Sequence, residues 1–383
     1  MSKNRPESAV SAVVLAAGMS RRMGTPKQLL HLAGKTILEH TLENVRASAA
    51  SEIVLVLGFA ADRVEEEISI NRVEMDRVKI VHNKDYQQGM GTSLRTGLAA
   101  VDAQSNAALI VLADQPFVSP ETLNQLIACH QESKPQIIIP IYKGFRGNPV
   151  LLDRSVFAEL QGLTGDVGCR AIFGSHAENI RKLPVDDIGI LLDIDSQEEY
   201  QKLEKAYAAK QSKSDSLVIK PLESREDVHP DRAELIVAGR DAVAYALAKL
   251  GRLLNFTVTM VDPLLPLAEL PDADRILHVL DFSLLPQAAE RYVVVATRGL
   301  FDEEAIEQAL QIEASYIALL ANRKRAEEVT RSLKAKSYSP EKLASVRAPA
   351  GLNIGAESPE EIALSIMAEI VSERRRKAVR ESK

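Results

Sequence analysis

Cysteine is nearly missing from this chain: the two residues, Cys129 and Cys169, stand far apart and outside any CxxC spacing. A disulfide framework and a zinc cluster are thereby set aside, and a reducing compartment is the simplest setting. An excess of positive charge is missing as well. The formal net charge is −6, which argues against a protein built mainly to coat nucleic acid, because phosphate neutralisation needs clustered Lys and Arg. No stretch approaches the ~20 apolar residues that cross a bilayer. The short apolar run 9–17 has the length of a signal-peptide core and nothing more. It passes straight into Gly18 and the Arg-rich stretch 19–27, where cleavage would require small neutral residues. These absences predict a cytoplasmic protein with neither nucleic acid nor membrane as a partner. Short internal repeats are lacking too.

What is present is ordinary globular composition, 46% apolar and 26% charged, unlike that of a disordered chain. At 383 residues the chain exceeds the roughly 250–300 at which one core usually splits, so two domains are expected. β-branched runs predict strands at 12–16, 53–57, 78–81, 109–112 and 137–140, and helical spacing covers 37–47 and 120–130 between them. The run 107–113 is apolar throughout, as in a strand buried on both faces. Around 204–216 the pattern gives way to small, polar and charged residues. A second alternation follows, with strands at 234–238, 257–261, 276–280, 292–296 and 316–320 and helices over 243–254 and 303–311. The last helix opens on Ser358-Pro359-Glu360-Glu361, which supplies a cap, a first-turn proline and two acids at the positive helix end. The expected fold is α/β: two Rossmann-like three-layer domains with mostly parallel sheets. They would span 1–207 and 233–383, with a linker and lead-in over 208–232.

The first strand runs into Leu15-Ala16-Ala17-Gly18, followed by Arg21, Arg22, Gly24 and Lys27. Small residues let backbone N–H groups approach a phosphate or base edge, and the three cations supply charge. It is not a Walker loop, since Gly18 and Gly24 are six apart and no Lys directly follows Gly24. Asp114, in Asp-Gln-Pro after a buried strand, stands where open α/β sheets bind ligands. A hard cation such as Mg²⁺ favours such a carboxylate with triphosphate oxygens, although a turn or helix cap is the other use of an Asp there. Asp193 or Asp195 would either complete that metal site or cap a helix.

In sequence order, the stretch Leu15–Lys27, Gly89–Leu98, Asp114-Gln115-Pro116, Arg146-Gly147-Asn148-Pro149, Gly165–Gly168 and Asp193-Ile194-Asp195 resembles the molybdenum cofactor cytidylyltransferases. The likeness covers roughly residues 10–205. It implies a nucleotidyltransferase in which Leu15, Ala16, Ala17 and Gly18 hold the nucleoside, Arg22 and Lys27 the phosphates, and Asp114, with Asp195, the Mg²⁺. Gly89, Gly91, Ser93 and Arg95 would help form the base or pterin site. The substrates implied are CTP and the molybdopterin-type molybdenum cofactor, with pyrophosphate released. A GTP- or sugar-phosphate-specific transferase, or a non-catalytic cofactor carrier, are the other readings left open.

The second half begins with a βαβ layout carrying Gly239, Asp241 and Ala244, and Asp262 ends the next strand. Asp241 stands where a second glycine would let the backbone approach a pyrophosphate, and its carboxylate would repel one. A structural Rossmann core is expected here rather than an NAD site. The closing stretch 348–371, with Asn322-Arg323-Lys324 and 297–310, resembles xanthine dehydrogenase accessory (XdhC-like) proteins. That implies cofactor handling for a molybdenum hydroxylase such as xanthine dehydrogenase. Asp241 and Arg298-Gly299-Leu300 depart from that family's pattern. His82, His130 and His278 are read as packed or capping residues rather than ligands.

Overall fold

The computed structural model describes residues 9–19, 26–32, 34–70, 75, 77–163, 165, 167–194, 221–225, 232–264, 270–335, 338–339, 342–343 and 345–381. The chain divides into two compact units, residues 1–142 with 146–216 and residues 217–383 with 143–145.

The first unit contains β1 (Ala9–Ala16), the short pair β2 (His31–Leu32) and β3 (Lys35–Thr36), β4 (Glu52–Leu57), β5 (Val78–His82), β6 (Ser105–Leu112), β7 (Ile137–Tyr142), β9 (Val150–Asp153) and β10 (Ile180–Pro184), and the short β8 (Phe145–Arg146) straddles the division, Arg146 falling in this unit. The main sheet runs β10-β7-β9-β6-β1-β4-β5, with β8 beside β7. Along that path β9 interrupts the parallel ladder, pairing antiparallel with β6 and β7, while β1 is parallel to both its neighbours.

Alternation along β1 shows why both sheet faces are apolar. Val10, Ala12, Val14 and Ala16 join a core completed by α1 (Ile37–Ala47), α2 (Ala61–Ile70) and α4 (Pro120–Ser133). Val13 and Ala17 join the opposite core, with Leu94 and Leu98 of α3 (Met90–Ala100) and Phe157 and Leu160 of α5 (Phe157–Leu160). Helix starts are locally encoded. Thr36 and Glu39 form a capping box on α1, and Ser119 caps α4 ahead of Pro120.

Gly97 sets how closely α3 lies on the sheet. A Cβ there would fall 2.4 Å from Val13 Cγ1 and 2.9 Å from Val56 Cγ2. Gly97→Val is therefore expected to cost about 1–3 kcal/mol by overpacking, read as a lower urea midpoint. An unchanged midpoint would mean that α3 can step away from β1 and β4 without loss.

The second unit contains β11 (Leu222–Ser224), β12 (Glu234–Ala238), α6 (Ala242–Leu253), β13 (Thr257–Val261), β14 (Arg275–Leu277), β15 (Arg291–Val295), α7 (Asp302–Gln311), β16 (Tyr316–Leu319), α8 (Arg323–Ala335), β17 (Val346–Arg347) and α9 (Pro359–Glu381). Its sheet runs β11-β14-β13-β12-β15-β16-β17, parallel except for β11. Taking β12 as first strand, the central order is the 3-2-1-4-5 of a doubly wound fold, with its ligand crevice between β12 and β15. Helices α6 and α9 cover one face through Val243, Leu247, Ile366 and Ile370, and α7 packs on β15 and β16. The strand expected over 276–280 is instead Arg275–Leu277, and the His278 N–H bonds the Pro221 carbonyl at 2.8 Å in the register that pairs β14 with β11.

Beneath the crevice, Glu234 is fully buried. It accepts from Arg275 Nη1 at 2.9 Å, Arg291 Nε at 3.1 Å and Thr259 Oγ1 at 2.7 Å, tying four adjacent strands together. No helix among the described residues is long and apolar enough to cross a membrane.

Candidate functional site

Parallel strands deliver their C-terminal ends to one edge, where such sheets bind ligands. In the first unit that edge is knitted by backbone hydrogen bonds. The Ala113 N–H donates to the Leu15 carbonyl at 3.2 Å, Phe59 N–H to Ala17 at 3.3 Å and Asn83 N–H to Leu57 at 2.7 Å. Leu15 is half-buried, Ala16 and Ala17 are buried, and Gly18 is exposed. Among the described residues no atom lies within 4 Å of the position a Gly18 Cβ would take.

Lys27 opens a short 3-10 turn, Lys27–Leu29. The next residue, Gln28, is buried and donates through Nε2 to the Ala16 carbonyl at 3.1 Å, which pins the turn to the end of β1. This places Lys27 Nζ in direct contact with Asp114 Oδ2, at the end of β6. The two side chains are 20% and 17% exposed, so the pair is sheltered but reachable. The Ile194 N–H donates to the Asp114 carbonyl at 3.2 Å, which brings the 193–194 backbone beside the same strand end. Arg22 and Asp195 lie outside the described residues.

A clamp delivers that 193–194 backbone. Asp187 accepts from the Ser119 N–H and hydroxyl, both at 2.9 Å, the Thr122 hydroxyl at 2.7 Å and the Gly189 N–H at 2.8 Å. The Asn148 N–H bonds the Ile190 carbonyl at 3.1 Å, and a Cβ on Gly147 would sit 2.4 Å from that same oxygen. The Arg146–Pro149 motif thus includes a close-packed backbone contact that only glycine allows.

The remaining predicted residues gather at the start of α3. Gly89 is the N-cap, at φ 107°, a conformation that glycine adopts without strain. Asn83 Nδ2 donates to Thr92 Oγ1 at 2.8 Å and to Ser93 Oγ at 2.9 Å, and its Oδ1 accepts from the Asp85 N–H at 2.9 Å. The Gly91 N–H donates to the Gly165 carbonyl at 3.0 Å, so the protein itself uses that donor. A Gly91 Cβ would meet the Val167 and Gly165 carbonyls at 3.1 and 3.2 Å, which explains why two glycine motifs distant in sequence face each other. Arg95, on the first turns of α3, is half-buried.

Sequence reasoning missed Asn83, Gln28, Asp187 and the Gly58–Phe59 turn. Asn83 carried a usable signal: it is polar and stands just past the strand expected at 78–81, as Asp114 stands just past the one at 109–112. Burial pushes the Cys169 thiol up to about 12. His130 is fully buried with Nε2 2.9 Å from Asp153 Oδ2, whereas His82 is exposed and pairs with Glu65 at 2.8 Å. No group of three or more metal-binding side chains occurs among the described residues.

In the second unit the glycine turn holds Gly239 at φ 129°, where a Cβ would lie 2.2 Å from the Ala296 carbonyl. Asp241 caps α6, accepting from the Ala244 N–H at 2.9 Å, and its other oxygen accepts from Arg298 Nε at 3.1 Å. A carboxylate therefore stands at the helix start that a pyrophosphate would use. Asp262, 3% exposed, has Arg240 Nε 4.0 Å away, and burial holds the neighbouring His278 below the usual imidazole range. NAD at about 1 mM is expected to leave the melting temperature unchanged, since only a ligand that binds the native state raises it. A clear rise would show that Asp241 yields to a pyrophosphate.

Residues 12–180 match the MobA-like NTP transferase domain family and residues 235–370 the XdhC Rossmann domain family. The chain is 30% identical to the nicotine blue oxidoreductase of Paenarthrobacter nicotinovorans over 203 residues, 51% of this chain and 96% of that protein. It is 25% identical to the molybdenum cofactor cytidylyltransferase of Escherichia coli strain K12 over 202 residues, 52% of this chain and 98% of the relative. The purine catabolism protein PucB of Bacillus subtilis strain 168 is 30% identical over 208 residues, 51% of this chain and 95% of PucB.

Proposed function

The chain belongs to the MobA-like NTP transferase family and carries an XdhC Rossmann domain, and from that premise we propose that it transfers CMP from CTP to a molybdopterin-type cofactor. The observation that carries the reading is the Lys27–Asp114 contact beside the Leu15–Gly18 loop. It puts one cation and one carboxylate at the strand end where a triphosphate and its metal would meet.

In this reading Leu15, Ala16, Ala17 and Gly18 seat the nucleoside, and Gly89, Gly91, Ser93 and Arg95 border the base or pterin. Lys27 and Arg22 face the phosphates. The sheltered Asp114 carboxylate offers the hard oxygen donor that Mg²⁺ prefers, so Asp114 with Asp195 would hold the ion, which when bound neutralises charge on the triphosphate. An oxygen of the cofactor's terminal phosphate attacks the α-phosphorus of CTP. The new P–O bond forms as the bond from that phosphorus to the bridging oxygen of the β-phosphate breaks, and pyrophosphate leaves. The attacking phosphate is already ionised, so no general base is needed. What the protein supplies is alignment and positive charge for two anions that otherwise repel.

The XdhC-like unit would receive the product for a molybdenum hydroxylase such as xanthine dehydrogenase, a recipient that suits a relative named for purine catabolism. Placing the two activities on 1–207 and 233–383, joined by 208–232, raises the effective concentration of product at the second site. The cytoplasm, where the cofactor's thiolates stay reduced, is the proposed location.

Pyrophosphate release with Mg²⁺ and molybdenum cofactor, compared among CTP, GTP and ATP, tests the reading. Release with CTP alone is expected. Release with GTP alone keeps the chemistry and changes the nucleotide. The relative named nicotine blue oxidoreductase favours one further reading, an oxidoreductase, which consumption of NADH or NADPH in the presence of nicotine blue would reveal.

A further inference from the structure

Aromatic residues make up only 4% of this chain, yet two of them, Phe59 and Tyr86, meet at the ligand edge of the first unit. Phe59 follows β4 and Tyr86 follows β5, and their ring centroids are 6.3 Å apart at an interplanar angle of 54°. Both residues are half-buried: Tyr86 packs on one side against the core that holds Ala17, Val56 and Leu94, and neither residue is fully enclosed. Phe59 is tied to the nucleoside loop by its N–H bond to the Ala17 carbonyl at 3.3 Å. The intervening Gly58 draws the three segments together: a Cβ there would lie 2.7 Å from Tyr86 Cβ and 2.8 Å from Ala17 Cβ. No larger residue fits without parting Tyr86 from the Ala17 loop.

We propose that Phe59 and Tyr86 form an aromatic subsite that holds a planar heterocycle of the substrates, the cytosine or the pterin, beside the Ala17 loop. The proposal rests on the transferase reading, whose two substrates both carry such a ring. Tilted rings of this kind offer a stacking face and an edge contact to a third ring. Stacking is tolerant of ring identity because every such heterocycle has a π-face. Selection between bases then falls to polar groups, and the aromatic pair supplies affinity and orientation.

The chain contains no tryptophan, so Phe59→Trp creates a single reporter at the subsite. Its fluorescence is expected to quench on titration with CTP–Mg²⁺ if the ring held is the base, or with 6-hydroxymethylpterin if it is the pterin. In turnover, Phe59→Ala and Tyr86→Ala are each expected to raise the KM of that same substrate roughly 5- to 100-fold. Phe59→Leu, which keeps apolar bulk without a π-face, should behave like the alanine variant, and Tyr86→Phe like wild type. Melting temperatures separate a lost stack from a damaged fold. An active wild type whose alanine variants keep both KM values, with no quenching by either ligand, would overturn the subsite. Absence of turnover in the wild type with any nucleotide would instead remove the transferase reading, and quenching would still report on the subsite.

Discussion

A Lys27→Ala variant is expected to release pyrophosphate at least about 10²-fold more slowly than the wild type, the loss typical of removing one preorganised electrostatic contact. Lys27 is held by two features that have nothing to do with its own charge. The 3-10 turn places it, and Gln28 anchors that turn to Ala16. The alanine variant therefore keeps its backbone and loses only the ammonium. Asp114 is left without its partner, but at 17% exposure it retains access to solvent and metal, so little stability is lost. If Lys27 acts mainly on charge that develops during transfer, kcat and kcat/KM should fall together. Asp114→Asn is expected to fall as far through loss of the metal ligand, and its defect should ease at high Mg²⁺. Near-normal turnover in either variant would remove the mechanism.

The second large effect concerns stability. Glu234→Ala is expected to destabilise the XdhC-like unit by about 3–5 kcal/mol, the cost of breaking a buried ion pair by removing one side of it. Glu234 is completely buried, and the guanidiniums of Arg275 and Arg291 are 10% and 15% exposed. Removing the carboxylate takes the shared counter-charge from Arg275 on β14 and Arg291 on β15, although Arg291 still donates to the Leu285 and Pro286 carbonyls. Glu234→Gln keeps the shape and some hydrogen bonding but not the charge, so it should fall between the two. Equilibrium denaturation reads the result. A two-unit chain need not unfold in one step, so the shift is sought on each transition, and a curve identical to wild type would show that the arginines find water or other partners.

The layered α/β architecture was legible because β-branched runs and helical spacing alternate so regularly, and the 107–113 run marks β6 as a strand buried on both faces. The antiparallel β9 was not legible. Val150–Asp153 is as apolar as its neighbours, and strand direction is set by connections rather than by composition. Asp114 and Lys27 stand out in the sequence as candidates, since a carboxylate after a buried strand and a lysine after a glycine-rich loop are unusual choices. Their contact was not, because it depends on Gln28 folding back across twelve residues. The Asn83 and Asp187 networks stayed hidden for a related reason. A buried polar side chain satisfied by partners far away in sequence looks, in one dimension, like a loop residue. Asp241 is the converse case: the sequence marks it as wrong for a pyrophosphate turn, and its cap on α6 and bond to Arg298 supply the physical reason.

The central claim is most directly tested by the mass of the molybdenum cofactor before and after incubation with the purified protein, CTP and Mg²⁺. The account predicts a cofactor heavier by one CMP residue, with one pyrophosphate released per cofactor converted. A cofactor of unchanged mass, recovered bound to folded protein with CTP intact, would contradict it and leave a carrier in place of a transferase.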